Sequence, residues 1–348
     1  ALADRLAAIH FRRGALTTAM ATLGFEMRQD AELATLVQDV TKSSEIEGEL
    51  LDEAQVRSSI ARRLGLDHAG LPVPDRNVEG VVEMMLDATR RYAEPLDAER
   101  IFGWHSALFP TDRSGIFKIA VGAWRDDRNG PMQVVSGGIG KEKVHFQTPA
   151  ADRVPQEMER FFDWFESATL DPVLKAAVAH RWFVTIHPLD DGNGRIGRAI
   201  VDLALARADG GSQRFYSMSA QIHRDKKDYY AMLERSQKGT MDITEWIVWF
   251  LGRLDAALDS AESVLQIVRR KQSFWDRHRQ TDLNERQIKM LNRLMEGFRG
   301  KLQTSKYAKI AKCSNATALR DLTELVALGI LQVDSGAGGR STSYRLSD

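Results

Sequence analysis

A chain of 348 residues is long enough for two or three domains and a sizeable hydrophobic core. Its 48 Lys and Arg residues balance 48 Asp and Glu residues, so the net charge points to neither nucleic acid nor membrane as a partner. The one cysteine, Cys313, excludes an internal disulfide and a thiolate zinc cluster. The sequence shows no apolar run of bilayer length and no secretion signal, which predicts a cytoplasmic protein without a membrane partner.

Helical periodicity runs through residues 1–92. Apolar side chains such as Leu33, Leu36 and Val37 recur at the spacing of one helix face. Two prolines within residues 66–77 mark a break between helices. We therefore predict a mainly α fold that begins with a helical N-terminal domain over residues 1–92.

A short β-prone region interrupts the helical pattern that follows. Two runs within residues 132–146 flank a glycine-rich turn at 137–140, which is typical of a hairpin. Helical periodicity then resumes. We predict a helical core domain over residues 93–255 and a helical linker over residues 256–281.

The last segment, residues 282–348, changes texture again. It predicts three helices, the third capped by Ser314 or Asn315, and then a hairpin with a glycine turn. This order resembles a winged-helix domain. The segment has eleven Lys or Arg residues against seven Asp or Glu, with Arg320 on the third helix and Arg340 on the wing. Contact with DNA and contact with protein both remain open for it.

The chemically most informative segment runs from His187 to Arg198 and reads His-Pro-Leu-Asp-Asp-Gly-Asn-Gly-Arg-Ile-Gly-Arg. Two glycines and an asparagine at residues 192–194 favour a tight turn, after which helical periodicity restarts. A glycine turn that opens a helix presents free N–H groups at the positive end of the helix dipole. With Arg195 and Arg198 nearby, the segment predicts a phosphate-binding site.

Acidic and basic groups lie beside this turn. Asp190 and Asp191 offer carboxylate ligands for Mg²⁺, which commonly binds one carboxylate together with substrate phosphates. His187 is a candidate general base. Taken singly, a Gly-Asn-Gly turn is a common loop and a lone histidine is more often structural than catalytic.

The whole segment resembles the Fic family signature, His-Pro-Phe-x-(Asp/Glu)-Gly-Asn-Gly-Arg-x-x-Arg, with Leu189 in place of the usual Phe. The resemblance implies a protein adenylyltransferase that uses ATP and Mg²⁺ to place AMP on a hydroxyl side chain of a target protein. It implies that His187 deprotonates the target hydroxyl and that Asp191 holds Mg²⁺ against the α and β phosphates.

The same resemblance assigns the phosphate contacts. Gly192, Asn193 and Gly194 would form an anion hole from N–H groups and the Asn amide. Arg195 would bind phosphate, and Arg198 would bind the γ-phosphate.

Two further regions are similar to parts of that family. The predicted hairpin falls where the family has a flap that clamps the target backbone by strand addition, although it is also readable as a plain surface hairpin. Tyr229, Tyr230 and Gln237 lie where the family lines its adenine pocket. An aromatic stripe at this spacing is equally typical of a core helix.

An inhibitory motif is the last resemblance. Ser43, Glu47 and Gly48 match the family pattern (Ser/Thr)-x-x-x-Glu-(Gly/Asn). This implies that the Glu47 carboxylate pairs with Arg198 and blocks the γ-phosphate, in the class whose inhibitory helix is N-terminal. The alternative is that Glu45, Glu47 and Glu49 form a solvated acidic helix face.

Three functions remain open at this point. The first is adenylyl transfer, with its reverse, removal of AMP, as a variant. The second is another transfer on the same fold, such as phosphotransfer. The third is a DNA-binding regulator that only senses nucleotide. The family resemblance also makes a homodimer a candidate assembly.

Overall fold

The computed structural model describes residues 2–66, 70–128, 130–136, 143–295, 298, 300–334 and 342–347. Within them the chain is mainly helical, which confirms the predicted fold class. No helix among these residues is both long and apolar enough to cross a bilayer. The helices are α1 (Leu2–Ala21), α2 (Phe25–Ile46), α3 (Glu53–Leu64), α4 (Arg76–Arg90), α5 (Ala98–Leu108), α6 (Val154–Ser167), α7 (Pro172–Ile186), α8 (Asn193–Asp209), α9 (Met218–Arg224), α10 (Lys226–Lys238), α11 (Thr244–Arg277), α12 (Glu285–Met295), α13 (Thr304–Ala311) and α14 (Asn315–Ala327).

The strands form three separate two-stranded antiparallel sheets within the described residues. Strands β3 (Gln133–Ser136) and β4 (Lys143–Gln147) form the hairpin predicted within residues 132–146. Its predicted glycine turn at 137–140 lies outside the described residues. The pair β1 and β2 is a short hairpin that the sequence did not predict. The strands are β1 (Arg113–Ser114), β2 (Phe117–Lys118), β3 (Gln133–Ser136), β4 (Lys143–Gln147), β5 (Leu331–Val333) and β6 (Tyr344–Leu346).

Helices α7 and α8 form the centre of the first part of the chain. Helix α7 begins after Asp171, whose carboxylate accepts hydrogen bonds from Val173 N at 2.9 Å and Leu174 N at 3.2 Å. Helix α8 is buried over most of its length. Its apolar side chains pack in the interior, and its buried polar side chains, such as Asn193 and Arg198, are satisfied by hydrogen bonds there. The loop that joins α7 to α8 is therefore held between two well-packed elements.

Helix α2 carries the predicted inhibitory motif at its C-terminal end. Ile46, its last residue, is fully buried. Glu47 caps the helix, and Gly48 follows in the left-handed conformation with φ of +88°. A glycine in this conformation is the usual way to end a helix without steric cost. The end of α2 is thus fixed by packing on one side of Glu47 and by backbone geometry on the other.

The chain separates into two compact units, Ala1–Glu262 and Ser263–Asp348. The predicted N-terminal and core domains both lie in the first unit. Helix α11 runs through the predicted boundary between the core domain and the linker. All the boundaries between the predicted domains remain predictions.

The second unit has its own hydrophobic core. Helices α12, α13 and α14 and strands β5 and β6 contribute to it. Ser314 caps α14 by accepting a hydrogen bond from Thr317 N at 3.1 Å, as predicted. Arg320 is exposed on α14, and Arg340 lies outside the described residues. The winged-helix assignment and DNA contact through residues 282–348 stay predictions.

Candidate active site

The loop between α7 and α8 is braced by Asn193. Its amide donates to Leu189 O at 2.8 Å, and its side-chain oxygen accepts from Leu189 N at 3.0 Å. Both residues are buried. The family resemblance assigned the Asn193 amide to the anion hole, but in this structure the amide is occupied in closing the loop. Its backbone N–H lies at the start of α8, where an N–H group without an acceptor in the helix can bind an anion.

Glycine is required at the turn. Gly192 has φ of +80°, and a Cβ there would lie 2.9 Å from Cε2 of Phe109. A larger residue would therefore face both backbone strain and a clash. The N–H groups that open α8 have no acceptor within the helix, and the predicted binding of an anion at this turn stays a prediction.

His187 ends α7 in an uncommon backbone conformation, with φ of +51°. A non-glycine residue in this region costs about 1–2 kcal/mol, so the surroundings must hold it there. Its Nδ1 lies 3.3 Å from Val184 O. Because a carbonyl oxygen only accepts, Nδ1 carries the proton in the neutral ring, which leaves a lone pair on Nε2.

Burial sets the protonation state of this imidazole. Desolvation lowers the pKa of His187 below its ordinary value, and the positive charge of Arg125 acts in the same direction. The ring is therefore neutral near pH 7. A neutral imidazole with a free Nε2 lone pair is the form that a general base requires.

Ser43 and Glu47 together surround the guanidinium of Arg198. Arg198 Nη1 donates to Glu47 Oε1 at 2.8 Å. Its Nε donates to Ser43 Oγ at 2.9 Å, and its Nη2 donates to Ser43 O at 2.7 Å. Arg198 is 2 % exposed. The structure thus brings the predicted inhibitory motif onto the motif arginine, and three of the five N–H donors of its guanidinium are already used.

Electrostatics keep this pair charged. Burial alone would raise the pKa of Glu47, but attraction to Arg198 and hydrogen bonding with it outweigh burial and lower that pKa. The Tyr230 hydroxyl adds a hydrogen bond to Glu47 Oε2 at 3.3 Å. Glu47 is therefore an ionised and well-anchored partner of Arg198.

A second ion pair, which sequence reasoning missed, joins the same two segments. Arg195 Nη1 lies 2.5 Å from Glu49 Oε2, and its guanidinium stacks over Phe109 at 5.0 Å. Glu45 pairs instead with Lys42 and His223. Each of the three carboxylates thus has a cationic partner, while Glu47 and Glu49 stay in part exposed to solvent.

The two acidic residues of the motif contact a neighbouring segment. Asp191 accepts from Gly192 N at 2.6 Å and from the hydroxyl of Ser114, on β1. Asp190 accepts from Ala120 N at 2.8 Å. Ser114 was not foreseen, because a two-residue strand leaves no periodic signal. Across the described residues, no three His, Cys, Asp or Glu side chains cluster as a metal site would need.

The three residues of the predicted adenine pocket differ in position. Tyr229 is buried, and its hydroxyl lies 2.9 Å from His180 Nε2, which fits the alternative of a core helix. Tyr230 is 40 % exposed and adjoins Glu47. Gln237 donates to Thr185 Oγ1 at 3.2 Å, close to the end of α7. Tyr230 therefore adjoins the end of α2, Gln237 adjoins the end of α7, and Tyr229 packs in the interior against α7.

Sequence models of two protein families match parts of the chain. The sequence model of the Fic/DOC family matches residues 95–205, and that of a domain of unknown function, DUF4172, matches residues 1–66. The chain therefore contains a Fic/DOC family domain. Its Fic domain contains the whole His187–Arg198 segment, whereas Ser43, Glu47 and Gly48 lie in the DUF4172 match.

The named relatives are distant. The chain is 28 % identical over 262 residues to protein adenylyltransferase Fic of Drosophila sechellia, covering 74 % of the chain and 46 % of that protein. It is 24 % identical over 167 residues to protein adenylyltransferase fic-1 of Caenorhabditis elegans, covering 47 % of the chain and 30 % of that protein. The chain thus spans less than half the length of these relatives.

Solved structures show the same fold. A Fic family protein from Desulfovibrio desulfuricans G20 has a TM-score of 0.54 at 21 % identity, with 99 % of this chain and 96 % of that chain covered. A Fic domain-containing signalling protein from Bacteroides thetaiotaomicron has a TM-score of 0.54 at 20 % identity, covering 76 % and 95 % of the two chains. At this level of identity the likeness concerns the fold.

Proposed function

We propose that this Fic family protein is an adenylyltransferase that moves AMP from ATP to a hydroxyl side chain of a target protein, and that Glu47 holds it inactive. The observation that carries the proposal is the Glu47–Arg198 pair beside a neutral His187. A candidate base, a glycine turn and an arginine lie within residues 187–198, and the Glu47 carboxylate pairs with the arginine.

The base would act through Nε2 of His187. It takes the proton from the target hydroxyl as that oxygen bonds to the α-phosphorus of ATP. The bond from that phosphorus to the bridging oxygen breaks, and pyrophosphate leaves with the electron pair. The protein mainly positions the two reactants and supplies positive charge, because transfer of a phosphoryl group needs little covalent catalysis by the protein.

Phosphate contacts would come from the turn and the arginines. The backbone N–H groups of Asn193 and Gly194 would face the anion, and Arg195 would add positive charge. Arg198 would bind the γ-phosphate once Glu47 has left. We place the adenine beside Tyr230, which adjoins Glu47, and Gln237, which adjoins the end of α7.

Asp191 is suited to hold Mg²⁺. Its carboxylate uses two acceptor positions, for Gly192 N and the Ser114 hydroxyl, which leaves others available. One carboxylate plus phosphate oxygens is a common magnesium ligand set, and it needs no cluster of three side chains. When bound, the ion neutralises charge on the phosphates.

The β3–β4 hairpin is the element we assign to the target. His145 on β4 lies 2.7 Å from Glu234 on α10, which secures the described part of the hairpin to the body of the first unit. An extended target segment would add to it as a further strand.

Labelled ATP tests the reaction. The Glu47→Gly form is incubated with cell lysate and ATP labelled at either the α- or the γ-phosphorus, with Glu47→Gly/His187→Ala as the matched control. We expect label on protein from the α-position alone, and none with the control. Label from the γ-position would instead indicate phosphotransfer, and loss of label from a premodified acceptor would indicate removal of AMP.

A further inference from the structure

A buried arginine outside the signature contacts its backbone directly. Arg125 follows the β1–β2 hairpin, and its side chain is 0 % exposed. Its Nε donates to His187 O at 2.7 Å, and its backbone N donates to Pro188 O at 2.9 Å. The two carbonyl groups that begin the loop are therefore both held by one residue.

The other end of the same guanidinium reaches the base of the β3–β4 hairpin. Arg125 Nη2 donates to Thr148 Oγ1 at 2.8 Å and to Pro149 O at 2.5 Å. Thr148 in turn donates to Met132 O through both its N–H and its hydroxyl, each at 3.1 Å. These bonds close the hairpin just beyond β4, so Arg125 joins the hairpin base to the loop.

We propose that Arg125 is a positioning residue, which holds His187 in its left-handed backbone conformation and couples that conformation to the base of the β3–β4 hairpin. The chemistry suits arginine. Its planar group offers five donors in a fixed fork, so it can serve acceptors on two segments at once. A lysine ammonium keeps the charge but cannot span both sets of carbonyls.

The coupling matters because His187 sits at a strained position. A backbone conformation that costs about 1–2 kcal/mol persists only where the surroundings impose it. The hydrogen bond from a charged, buried donor to His187 O is the direct restraint on the peptide that follows His187. This inference rests on the proposed function for its kinetic test, but not for its structural one.

The kinetic test uses Arg125→Lys and Thr148→Val in the Glu47→Gly form, with kcat and KM for ATP measured on the acceptor found by labelling. Displacing a base by about 1 Å costs up to about 100-fold, so we expect kcat to fall about 10- to 100-fold in Arg125→Lys. KM for ATP should stay within about twofold, because Arg125 does not contact the phosphate turn. Thr148→Val, nearly isosteric, should lower kcat by about three- to tenfold, less than the full worth of a hydrogen bond to a charged group, because Thr148 acts on His187 only through Arg125.

Arg207→Lys is the matched control. Arg207 also holds backbone carbonyls, those of Tyr92 at 2.7 Å and Glu94 at 2.8 Å, but it does not contact the loop. The Arg207→Lys variant should be less stable than its parent but should keep the same kcat. Equal kcat in Arg125→Lys and Arg207→Lys would overturn the proposal. If Arg125→Lys does not fold, unchanged kcat in Thr148→Val would overturn it.

A crystal structure of Arg125→Lys separates this inference from the proposed function. We expect His187 to leave the left-handed region and the residue 148–149 segment to move away from Pro188. A His187 φ still near +51° would refute the positioning role, whether or not the enzyme transfers AMP. Absence of transfer in the Glu47→Gly parent would refute the proposed function alone.

Discussion

The carboxylate of Glu47 lies directly on Gly194, where a Cβ would be 2.0 Å from Glu47 Oε1. The same carboxylate bonds Arg198 at 2.8 Å. One side chain from α2 thus covers both the glycine turn and the arginine of the signature. A phosphate bound to the turn and to Arg198 would lie next to the negative charge of the Glu47 carboxylate. The resulting repulsion is the physical basis of the proposed inhibition.

Removing that carboxylate should raise activity. In Glu47→Gly, Arg198 regains free donors, and a charged hydrogen bond of this kind is worth about 1.5–3 kcal/mol. We expect the rate of AMP labelling to rise about 10- to 150-fold. Incorporation of label from α-labelled ATP measures it.

The control makes the same substitution two residues earlier. Glu45 pairs with Lys42 and His223 rather than with either signature arginine. Glu45→Gly should therefore leave labelling near the wild-type rate. An equal increase in both variants would show that helix flexibility, and not the Glu47 charge, limits activity.

Glu49 should contribute less to inhibition than Glu47. Its side chain is 46 % exposed, and exposed ion pairs are worth about 0–1 kcal/mol. We expect Glu49→Ala to raise labelling by no more than about fivefold, with a larger effect at low salt. A series of labelling rates against ionic strength measures this, and an increase as large as that of Glu47→Gly would contradict the ranking.

The Glu47–Arg198 pair should make stability depend on pH. The folded protein lowers the pKa of Glu47, so the pair stabilises the fold above the carboxylate's ordinary value near 4.5. That contribution is lost as pH falls through the lowered folded value. Melting temperatures of wild type and Glu47→Gln should differ at pH 7 and converge in acid. A difference that grows in acid would reverse the assigned sign.

His187 should titrate below the ordinary histidine value. Desolvation and the Arg125 charge lower its pKa from 6.5, and the Glu47 and Asp191 carboxylates oppose this only in part. A proton NMR titration, with the resonance assigned by its absence in His187→Ala, should therefore show a midpoint below pH 6.5. A midpoint above pH 6.5 would contradict the direction of the shift, and a midpoint above pH 7 would mean that the ring is mostly charged at neutral pH and unsuited to act as a base.

Much of the site was readable from local sequence. The glycine turn, the helix that follows it and the placement of His187 just before it follow from residue types at fixed spacing. The hairpin at 132–146 and the Ser314 cap were also predicted correctly. In each case the signal lies within a few neighbouring residues, so no tertiary information is needed.

The remaining contacts depend on tertiary structure. Arg125 and Glu49 reach the signature from 62 and 146 positions away along the chain, and nothing in their own neighbourhoods marks them. Asn193 is marked by the sequence motif, but the sequence does not show which group its side-chain amide bonds. Its amide was assigned outward to an anion, but the buried Leu189 backbone needs a partner, and that requirement shows only in the fold.

The most direct measurement is a crystal structure of Glu47→Gly with Mg²⁺ and a non-hydrolysable ATP analogue. The account predicts that the triphosphate lies on the residue 192–194 turn, with the γ-phosphate on Arg198 and a target-accessible space between His187 Nε2 and the α-phosphorus. Reacting atoms need to approach within about 3–3.5 Å, so that space must admit one hydroxyl oxygen. A triphosphate bound elsewhere, or a His187 ring facing away from the α-phosphorus, would contradict it.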